Sequence, residues 1–530
     1  MKYAAPLSIS IAILMVIIIS NLSIDDTANI EREKLQKLKI ELTKKRTQRV
    51  DHSQFEILKK KFKTPQEVTE ACLSCHNLTA DDIMQSNHWH WEREEYVQGI
   101  GVVYLGKANA INNYCIGAAG NEGACAKCHI GYGMDSEGKV FVDKKNIDCM
   151  VCHDQTETYI KAQNMAGAPA PNVDFSFVAQ NVGRPNRTNC GVCHFYGGGG
   201  DGVKHGDLDA SMFSPTRDID IHMAIDGPNL VCVDCHKTHR HNIAGKLYSL
   251  SSMNRNRVFC EDCHSSMPHK DDMINEHTLK VSCQTCHIPI YAKKQPTKMY
   301  WDWSKAGKLK NGKPYKEIDS LGKENYLSTK GFFVWKIRQI PDYIWFNGTA
   351  SHYIAGQKIE NSEQTLILNQ LYGSYDDPDS KIIPLKIHRG KIPYDPINKI
   401  LIKPKLFAEK EGLGAFWKDF DWIRASEVGH KEFGLPFSGK VDFIETAMYW
   451  PLNHMVSRKE EALQCVDCHN RENSRLAGLK DFYLPGRDRS EAVDLLGKLA
   501  LLFSIIGVIA HSTARIYFYF RNKKNGEQNG

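Results

Sequence analysis

The sequence predicts a mainly α-helical protein with long loops and little sheet, followed by a membrane helix near the C-terminus. The first reason is that the pattern Cys-Xaa-Xaa-Cys-His occurs eight times in 530 residues, with short gaps between seven of the copies. The second is a composition of 42% hydrophobic and 25% charged residues, which is ordinary for a large folded protein. The third is an apolar run at residues 494–520, which is long enough to span a bilayer.

Each copy has the spacing of a haem c attachment site, in which two thiols bind one haem covalently and the following histidine ligates its iron. Structural zinc also uses paired CxxC motifs, but it gives no reason for a histidine after every second cysteine. Disulfides need neither the spacing nor the histidine. We therefore predict a multihaem cytochrome c with eight covalently bound haem c groups, whose porphyrins replace much of the usual core.

The eight motifs share these roles. The attachment cysteines are Cys72, Cys75, Cys125, Cys128, Cys149, Cys152, Cys190, Cys193, Cys232, Cys235, Cys260, Cys263, Cys283, Cys286, Cys465 and Cys468. The iron-ligating histidines are His76, His129, His153, His194, His236, His264, His287 and His469.

The chain divides into segments of different composition. Residues 1–24 are mostly apolar and predict a secretory signal or an N-terminal anchor, and residues 25–50 predict a charged helical linker. Residues 51–490 are expected to form the octahaem domain. Within it, seven motifs lie in 51–290, an aromatic-rich region in 291–450 covers the haem core or forms a docking face, and the eighth motif occupies 465–469.

The two ends indicate where the protein works. Residues 494–520 predict one transmembrane helix, and the basic tail at 521–530 is typical of the cytoplasmic side. Because haem c is attached outside the cytoplasm, the haem domain is expected on the periplasmic or extracytoplasmic side of the cell membrane. The net charge is only +6, and haem propionates would offset it, so no nucleic-acid partner is predicted.

Each iron also needs a sixth ligand or an open face, and fourteen histidines lie outside the motifs. A haem with two histidine ligands only passes electrons, whereas one without a second histidine can bind substrate. The sequence does not say which histidine caps which haem. The best distal candidates lie near motifs: His88, His222, His241, His269, His277 and His454, with His52 and His205 next.

Cys115 is the seventeenth cysteine and belongs to no motif. An unpaired thiol in an exported protein needs a reason, because exported cysteines tend to be oxidised. It is either a buried, inert residue or a catalytic thiolate able to attack an S–S bond. The sequence alone leaves both interpretations open.

Residues 51–490 contain the stretches DHSQFEILKKKFKTPQEVTEACLSCH, INNYCI, CAKCHIGYG, IDCMVCHDQTETY, NCGVCHFYGGGGDGVKHGDLD and CQTCHIPIYAKKQPTKMYWDWS. These stretches resemble the octahaem tetrathionate reductase family, periplasmic multihaem cytochromes c related to hydroxylamine oxidoreductase. The resemblance implies that the haem on the motif of His129 is catalytic, that its distal ligand is Lys204, and that Cys115 lies near the distal pocket. The terminal membrane helix goes beyond the soluble form of that family.

Physical chemistry supports Lys204 in this role. Lysine binds iron only as the neutral amine, and once displaced it becomes a cation that would stabilise an anionic substrate. The glycine run 197–200 allows a close approach of this loop to the porphyrin. His205, Asp207 and Asp209 follow Lys204 and are candidates for orienting the site or delivering protons. They could equally be structural polar groups of the loop.

The expected function is a membrane-anchored reductase of a small oxyanion or nitrogen oxide. The resemblance implies reduction of tetrathionate to thiosulfate, and of nitrite and hydroxylamine, with electrons from a quinol-oxidising membrane cytochrome or a soluble cytochrome. Two alternatives are a hydroxylamine-oxidising octahaem enzyme, which a lysine ligand argues against, and a conduit with eight bis-histidine haems. An octahaem sulfite reductase is disfavoured because every motif has two-residue spacing.

Overall fold

The computed structural model describes residues 33–42, 44, 50–114, 117, 120–133 and 143–527. The chain forms two compact units, Met1–Leu463 and Gln464–Gly530, and the second contains the eighth motif and the C-terminal helix. The predicted signal or anchor at 1–24 and the candidate thiol of Cys115 lie outside the described residues. Within the predicted linker, residues 33–42 are helical.

The region of the first seven motifs consists mainly of short helices joined by loops, with two small pairs of antiparallel strands among them. The α-helices of the described chain are Glu56–Lys59, Pro65–Leu73, Thr79–Met84, Glu122–Cys125, Cys149–His153, Phe175–Gln180, Arg187–His194, Cys232–Cys235, Asp272–His277, Cys283–His287, Phe416–Asp419, Trp422–Glu432, Cys465–Cys468 and Glu491–Glu527. Several consist of little more than one motif. A single helical turn suffices because residues three apart lie on the same face, so both thiols point toward one porphyrin edge.

Three motifs contain an aspartate between their cysteines that stabilises this turn. The carboxylates of Asp234, Asp262 and Asp467 each accept a hydrogen bond from the backbone N–H just before the first cysteine, at 2.8, 3.0 and 2.7 Å. These N–H groups lie at the start of a helical turn, where they have no partner within the turn itself. The CxDC sequence therefore stabilises its own turn.

The expectation of little sheet is wrong, because 19% of the residues are in strands and 30% in helices. The strands are β1 (Glu92–Val97), β2 (Gly101–Gly106), β3 (Thr238–His239), β4 (Asn242–Ile243), β5 (Thr297–Asp302), β6 (Leu309–Lys310), β7 (Lys313–Pro314), β8 (Lys316–Ile318), β9 (Glu324–Leu327), β10 (Gly331–Lys336), β11 (Asp342–Phe346), β12 (Leu366–Asn369), β13 (Lys381–Asp395), β14 (Ile400–Leu401) and β15 (Asp442–Pro451). Most of them lie in the motif-free region, which has no haem of its own to pack against.

Nine strands form one sheet, in the order β12-β15-β13-β5-β10-β9-β8, with β11 and β14 also paired to β13. β13 is antiparallel to β15 and parallel to β5. The sheet encloses an aromatic core in which the buried rings of Trp301 and Trp303 stack at 4.8 Å. The region predicted to cover the haems thus has a hydrophobic core of its own, and β13 carries side chains from it toward the motif region.

The C-terminal helix, Glu491–Glu527, contains the predicted span 494–520. Its 18-residue window of highest hydropathy has a mean of 2.1. By length and composition, the segment Glu491–Asn522 is therefore able to cross a membrane.

Candidate haem and catalytic site

Four motif histidines each face a histidine from elsewhere in the chain. The pairs, with the distance between ring centroids, are His88–His194 at 6.1 Å, His222–His264 at 6.0 Å, His236–His454 at 6.2 Å and His269–His287 at 6.2 Å. The angle between the ring planes ranges from 11° to 73°, whereas the distance hardly changes. A separation that stays the same while the ring angle varies this much fits a spacer of fixed size between the two rings.

A haem iron fits this gap. Two metal–nitrogen bonds of about 2 Å, with about 1.1 Å from each nitrogen to its ring centre, add up to roughly 6.2 Å. The distal candidates His88, His222, His269 and His454 are thus each placed opposite one motif histidine. Haems held in this way are closed on both faces and suited to passing electrons.

Several of the ligand histidines are oriented by the backbone. The Nδ1 atoms of His153, His236 and His469 lie 2.7–2.8 Å from backbone carbonyl oxygens, as does Nδ1 of the distal candidate His277 at 2.7 Å. A carbonyl can only accept, so Nδ1 carries the proton and Nε2 is left for a metal.

Two further candidates lie near the first and third motifs. His241 interacts electrostatically with His76. Burial lowers the pKa of His153, and the nearby imidazoles of His241, His76 and His52 lower it further. The structure therefore brings both His52 and His241 to this pair of motifs, without assigning one to each.

Asp207 contacts His454, the histidine that lies opposite the motif histidine of the fifth motif. Its carboxylate lies 3.2 Å from Nδ1 of His454 and accepts hydrogen bonds from the backbone N–H groups of Asn453 and His454. Burial alone would raise the pKa of Asp207, but the hydrogen bond and charge of His454 lower it to about 2. These contacts allow Asp207 to orient His454, and its predicted role at the Lys204 site stays a prediction.

The motif thiols form a continuous series of neighbours through the first unit. The thiols that influence one another's pKa most strongly are the neighbours Cys72–Cys149, Cys128–Cys193, Cys190–Cys232 and Cys260–Cys283, and weaker electrostatic contacts join Cys152–Cys190 and Cys235–Cys263. These contacts link the first motif to the third. The fourth motif contacts the second, third and fifth motifs, so that it is a junction among these contacts. The fifth motif contacts the sixth, and the sixth contacts the seventh. Haems attached to neighbouring motifs would be close to one another, so that electrons would need no moving carrier.

Lys204 lies in a loop of residues 202–206, hereafter the Lys204 loop. Its ammonium is 5.2 Å from the centre of the Trp450 ring. It is also one of the cations near the Cys128 thiol, whose pKa is lowered to about 6 chiefly by a hydrogen bond from Cys193. Lys204 acts in the same way on the fourth motif, where burial and then the charges of His88 and Lys204 lower the pKa of His194. Lys204 thus lies near both motifs, and its role as the ligand at the second stays a prediction.

The glycine run before the loop packs against Lys204 itself. A Cβ on Gly198 would lie 3.3 Å from Cβ of Lys204 and 3.2 Å from Val203, and Gly198 has φ +78°. Another residue there would press on the lysine and adopt a strained backbone. The glycines therefore give room to the stem of Lys204.

His129 is oriented differently from the other motif histidines. Its Nε2 lies 3.1 Å from the Trp89 carbonyl oxygen, and its Nδ1 accepts a hydrogen bond from the Gly131 N–H at 3.0 Å. Nε2 therefore carries the proton in this arrangement, and ligation of iron by Nε2 requires the contact with Trp89 to be released. The structure does not set His129 opposite Lys204, and its role at the catalytic haem stays a prediction.

His205 lies within the Lys204 loop and Asp209 follows it, and the two side chains have different surroundings. The His205 ring lies 5.2 Å from the Trp450 ring, beside Lys204, and burial holds its pKa well below the usual value. Asp209 caps the turn Ala210–Phe213 by accepting a hydrogen bond from the Ser211 N–H at 2.8 Å. Burial raises its pKa to about 6, so Asp209 has the environment of a proton carrier.

This environment predicts a pH-dependent gain in stability for Asp209→Asn. The raised pKa means that wild-type protein loses stability as the pH rises from about 4 to about 6, because the folded state resists the charge. The amide keeps an acceptor for Ser211 without a charge, so the variant should be more stable at pH 8 by up to roughly 3 kcal/mol. Guanidinium unfolding at pH 4 and pH 8 measures this, and a variant that is less stable at pH 8 would contradict it.

Three residues of this region were not singled out from the sequence. Lys386 and His388 on β13 are fully buried beneath the Lys204 loop and Tyr114, and Trp450 on β15 lies beside both Lys204 and His205. In the sequence they fall in an ordinary strand pattern of the motif-free region. Only the pairing of β13 and β15 brings them to this site.

Comparison with known proteins agrees with this geometry. The profile of the family described as Cytochrome c bacterial matches residues 298–472. An uncharacterised protein of Archaeoglobus fulgidus is 23% identical over 242 residues, covering 36% of this chain and 80% of that protein. The crystal structure of octaheme cytochrome c from Shewanella oneidensis is similar with a TM-score of 0.76 and 43% identity, covering 83% of this chain and 98% of that one.

These similarities support covalently bound haem c and a redox function for the protein. They are also consistent with the resemblance to the octahaem tetrathionate reductase family. The thiol series and the four histidine pairs are what such a protein needs in order to hold and connect its haems. The chain therefore belongs to the octahaem cytochromes c.

Proposed function

We propose that the protein is a membrane-anchored reductase that converts tetrathionate to thiosulfate at the haem of the second motif, with Lys204 as the distal ligand. The observation that carries this proposal is that the charge of Lys204 acts on the Cys128 thiol of the second motif, from a loop whose preceding glycines give room to the lysine stem. A haem capped by a displaceable amine is suited to passing electrons to a substrate, whereas haems between two imidazoles are suited to relaying them.

When bound, this haem would pass on the two electrons of the reaction one at a time, receiving each from the other haems and, through them, from the external donor. Reduction of tetrathionate by two electrons breaks its central S–S bond and yields two thiosulfates, with no proton consumed. Lys204 would leave as the substrate enters and would then stabilise the dianion as an ammonium group. Trp450 offers a ring face near that ammonium. Nitrite and hydroxylamine are further substrates on the strength of the family resemblance.

Cys115 is proposed to act on the sulfur substrate. Attack by its thiolate on the central S–S bond would release one thiosulfate and leave the other half bound to the cysteine sulfur. Two electrons would then release the second thiosulfate and restore the thiolate. Nitrogen substrates have no S–S bond to attack, so they do not need the thiol.

Cys115→Ser should therefore separate the two kinds of chemistry. We expect turnover of tetrathionate to fall by on the order of 100-fold or more, with nitrite reduction largely retained, because serine is a poor nucleophile toward sulfur at neutral pH. Steady-state rates with tetrathionate, nitrite and hydroxylamine on the same purified holoprotein measure this. Equal loss of all three activities would argue against attack by the thiol.

The C-terminal helix is proposed as the membrane anchor. Its support is a length and hydropathy sufficient to span a bilayer, together with the basic residues Arg521, Lys523 and Lys524 near its C-terminal end. This orientation places the haem domain outside the cytoplasm, as for a bacterial cytochrome c. It would also bring the haems near the quinol pool, so that a quinol-oxidising membrane cytochrome or a soluble cytochrome could donate electrons.

An electron conduit is the second candidate function, and the four histidine pairs are the observation that favours it. A pure conduit would have histidine on both faces of all eight haems and no reactive iron. Electron paramagnetic resonance of the oxidised holoprotein distinguishes the two. One haem with a ligand other than histidine supports the reductase, and eight bis-histidine haems support the conduit.

A further inference from the structure

Two side chains from outside the Lys204 loop hold its backbone. The ammonium of Lys386 donates hydrogen bonds to the carbonyl oxygens of Val203 and Lys204, at 3.2 and 3.1 Å, and to the hydroxyl oxygen of Thr297 at 2.7 Å. Lysine has three N–H donors, and these three acceptors account for all of them. Lys386 therefore has no donor left for a substrate, and its contacts are entirely within the protein.

Thr297 extends the same contacts along the loop. Its hydroxyl oxygen lies 2.8 Å from the carbonyl oxygen of Gly202 and 3.0 Å from that of His205. The carbonyl of Gly206 accepts a further hydrogen bond from the Ala292 N–H at 2.8 Å. The Thr297 hydroxyl has a single proton, but the Lys298 N–H also donates to the Gly202 carbonyl, at 3.1 Å. Every carbonyl oxygen from residue 202 to residue 206 thus has a donor, and Lys386 and Thr297 supply those of residues 203 to 205.

The burial of Lys386 makes this arrangement costly. Its exposure is 0%, and lysine is almost never fully buried unless paired. Burial pushes its pKa well below the usual value. A methionine of similar length would fill the same space at β13 without this cost. A fully buried lysine with two of its three donors on loop carbonyl oxygens, and the third on the threonine that also contacts the loop, indicates that the geometry of the loop is what the residue supports.

We propose that Lys386, together with Thr297, is a positioning residue that holds the Lys204 loop so that the Lys204 amine is aimed at the haem of the second motif. This inference rests on the proposed ligand role of Lys204. A ligand carried by a flexible side chain depends on its backbone, and a displacement of about 1 Å is enough to cost on the order of 100-fold in a catalytic rate. The hydrogen bonds from Lys386 and Thr297 restrict the displacement of this backbone.

The test compares variants of the purified holoprotein by electron paramagnetic resonance and steady-state kinetics. In Lys386→Met, we expect the signal of the lysine-ligated haem to broaden or convert partly to high spin, with the bis-histidine signals and the haem content unchanged. We expect kcat for tetrathionate to fall by on the order of 10-fold. Thr297→Val should change the same signal and kcat in the same direction, with a smaller effect. If Lys386→Met fails to fold, the result for Thr297→Val tests the positioning role in its place.

Lys293→Met is the matched control. The ammonium of Lys293 likewise donates to a backbone carbonyl, that of Ile219 at 3.1 Å, and to a hydroxyl, that of Ser457 at 2.9 Å. This variant loses similar internal hydrogen bonds away from the Lys204 loop, so the signal of the second-motif haem should stay as in wild type. A purely structural role for Lys386 would make the two variants lose stability alike and leave that signal unchanged in both.

The outcomes separate this inference from the proposed function. If Lys204→Leu changes the signal of one haem while Lys386→Met and Thr297→Val do not, the ligand role stands and the positioning role is wrong. If Lys204→Leu leaves every haem signal unchanged, the proposed ligand is wrong and the positioning role falls with it.

Discussion

Lys204→Leu is expected to open one haem and to lower kcat for tetrathionate by on the order of 100-fold or more, while all eight haems stay attached. Leucine cannot ligate iron, so one haem should become high spin. It also cannot supply the cation that stabilises an anionic substrate, and removing one such group typically costs about 100- to 1,000-fold in kcat. Haem content, electron paramagnetic resonance and steady-state kinetics measure these effects.

Lys330→Leu is the control for this variant. Lys330 lies beside Gly199 in the same glycine run and over the ring of Trp417 at 5.4 Å. The substitution Lys330→Leu therefore removes a neighbouring cation without removing the proposed ligand. The haem signals of this variant should match those of wild type. Wild-type spectra and kinetics in Lys204→Leu itself would remove Lys204 from the site.

His88→Met is expected to disturb electron delivery at the junction of the thiol series. His88 faces His194 of the fourth motif, through which the second motif connects to the others. Replacing one histidine ligand by methionine raises the reduction potential of a haem. A rise on the order of 0.1 V corresponds to about 2.3 kcal/mol per electron, so transfer from this haem to the second-motif haem becomes roughly 50-fold less favourable.

Potentiometric titration and turnover measure this prediction. One haem should titrate at a higher potential than in wild type, and tetrathionate turnover should fall although Lys204 and Cys115 are intact. His90→Met, two residues along the chain, is the control and should leave the titration unchanged. An unaltered titration in His88→Met would mean that His88 does not ligate the fourth haem.

The haem attachment sites can be predicted from the sequence because each one lies within a short stretch of consecutive residues. Two thiols and a histidine within five residues are enough to hold one haem, and the helical turn that presents them is stabilised within the motif, as Asp234 and Asp467 illustrate. The apolar helix at the C-terminus is local in the same sense, because its length and hydropathy suffice to recognise it.

The sheet was not expected, because the motif-free region was interpreted as a layer over the haems. Nine strands pair across gaps in the chain that no local pattern records. β5 and β13, for example, are adjacent and parallel although some 80 residues separate them. The aromatic residues of this region bury one another, as Trp301 and Trp303 do, so the region does not need haems to form a core.

The sequence by itself determined the number of haem attachment sites, the identity of their proximal histidines and the apolar character of the C-terminal segment. Only the tertiary structure decided which distal histidine faces which motif for four of the haems, that Asp207 serves His454, and that Lys386 and Thr297 hold the Lys204 loop. The physical reason is that attachment depends on bonds within five consecutive residues, whereas ligand pairing and loop support depend on groups that come together only when distant strands and loops pack.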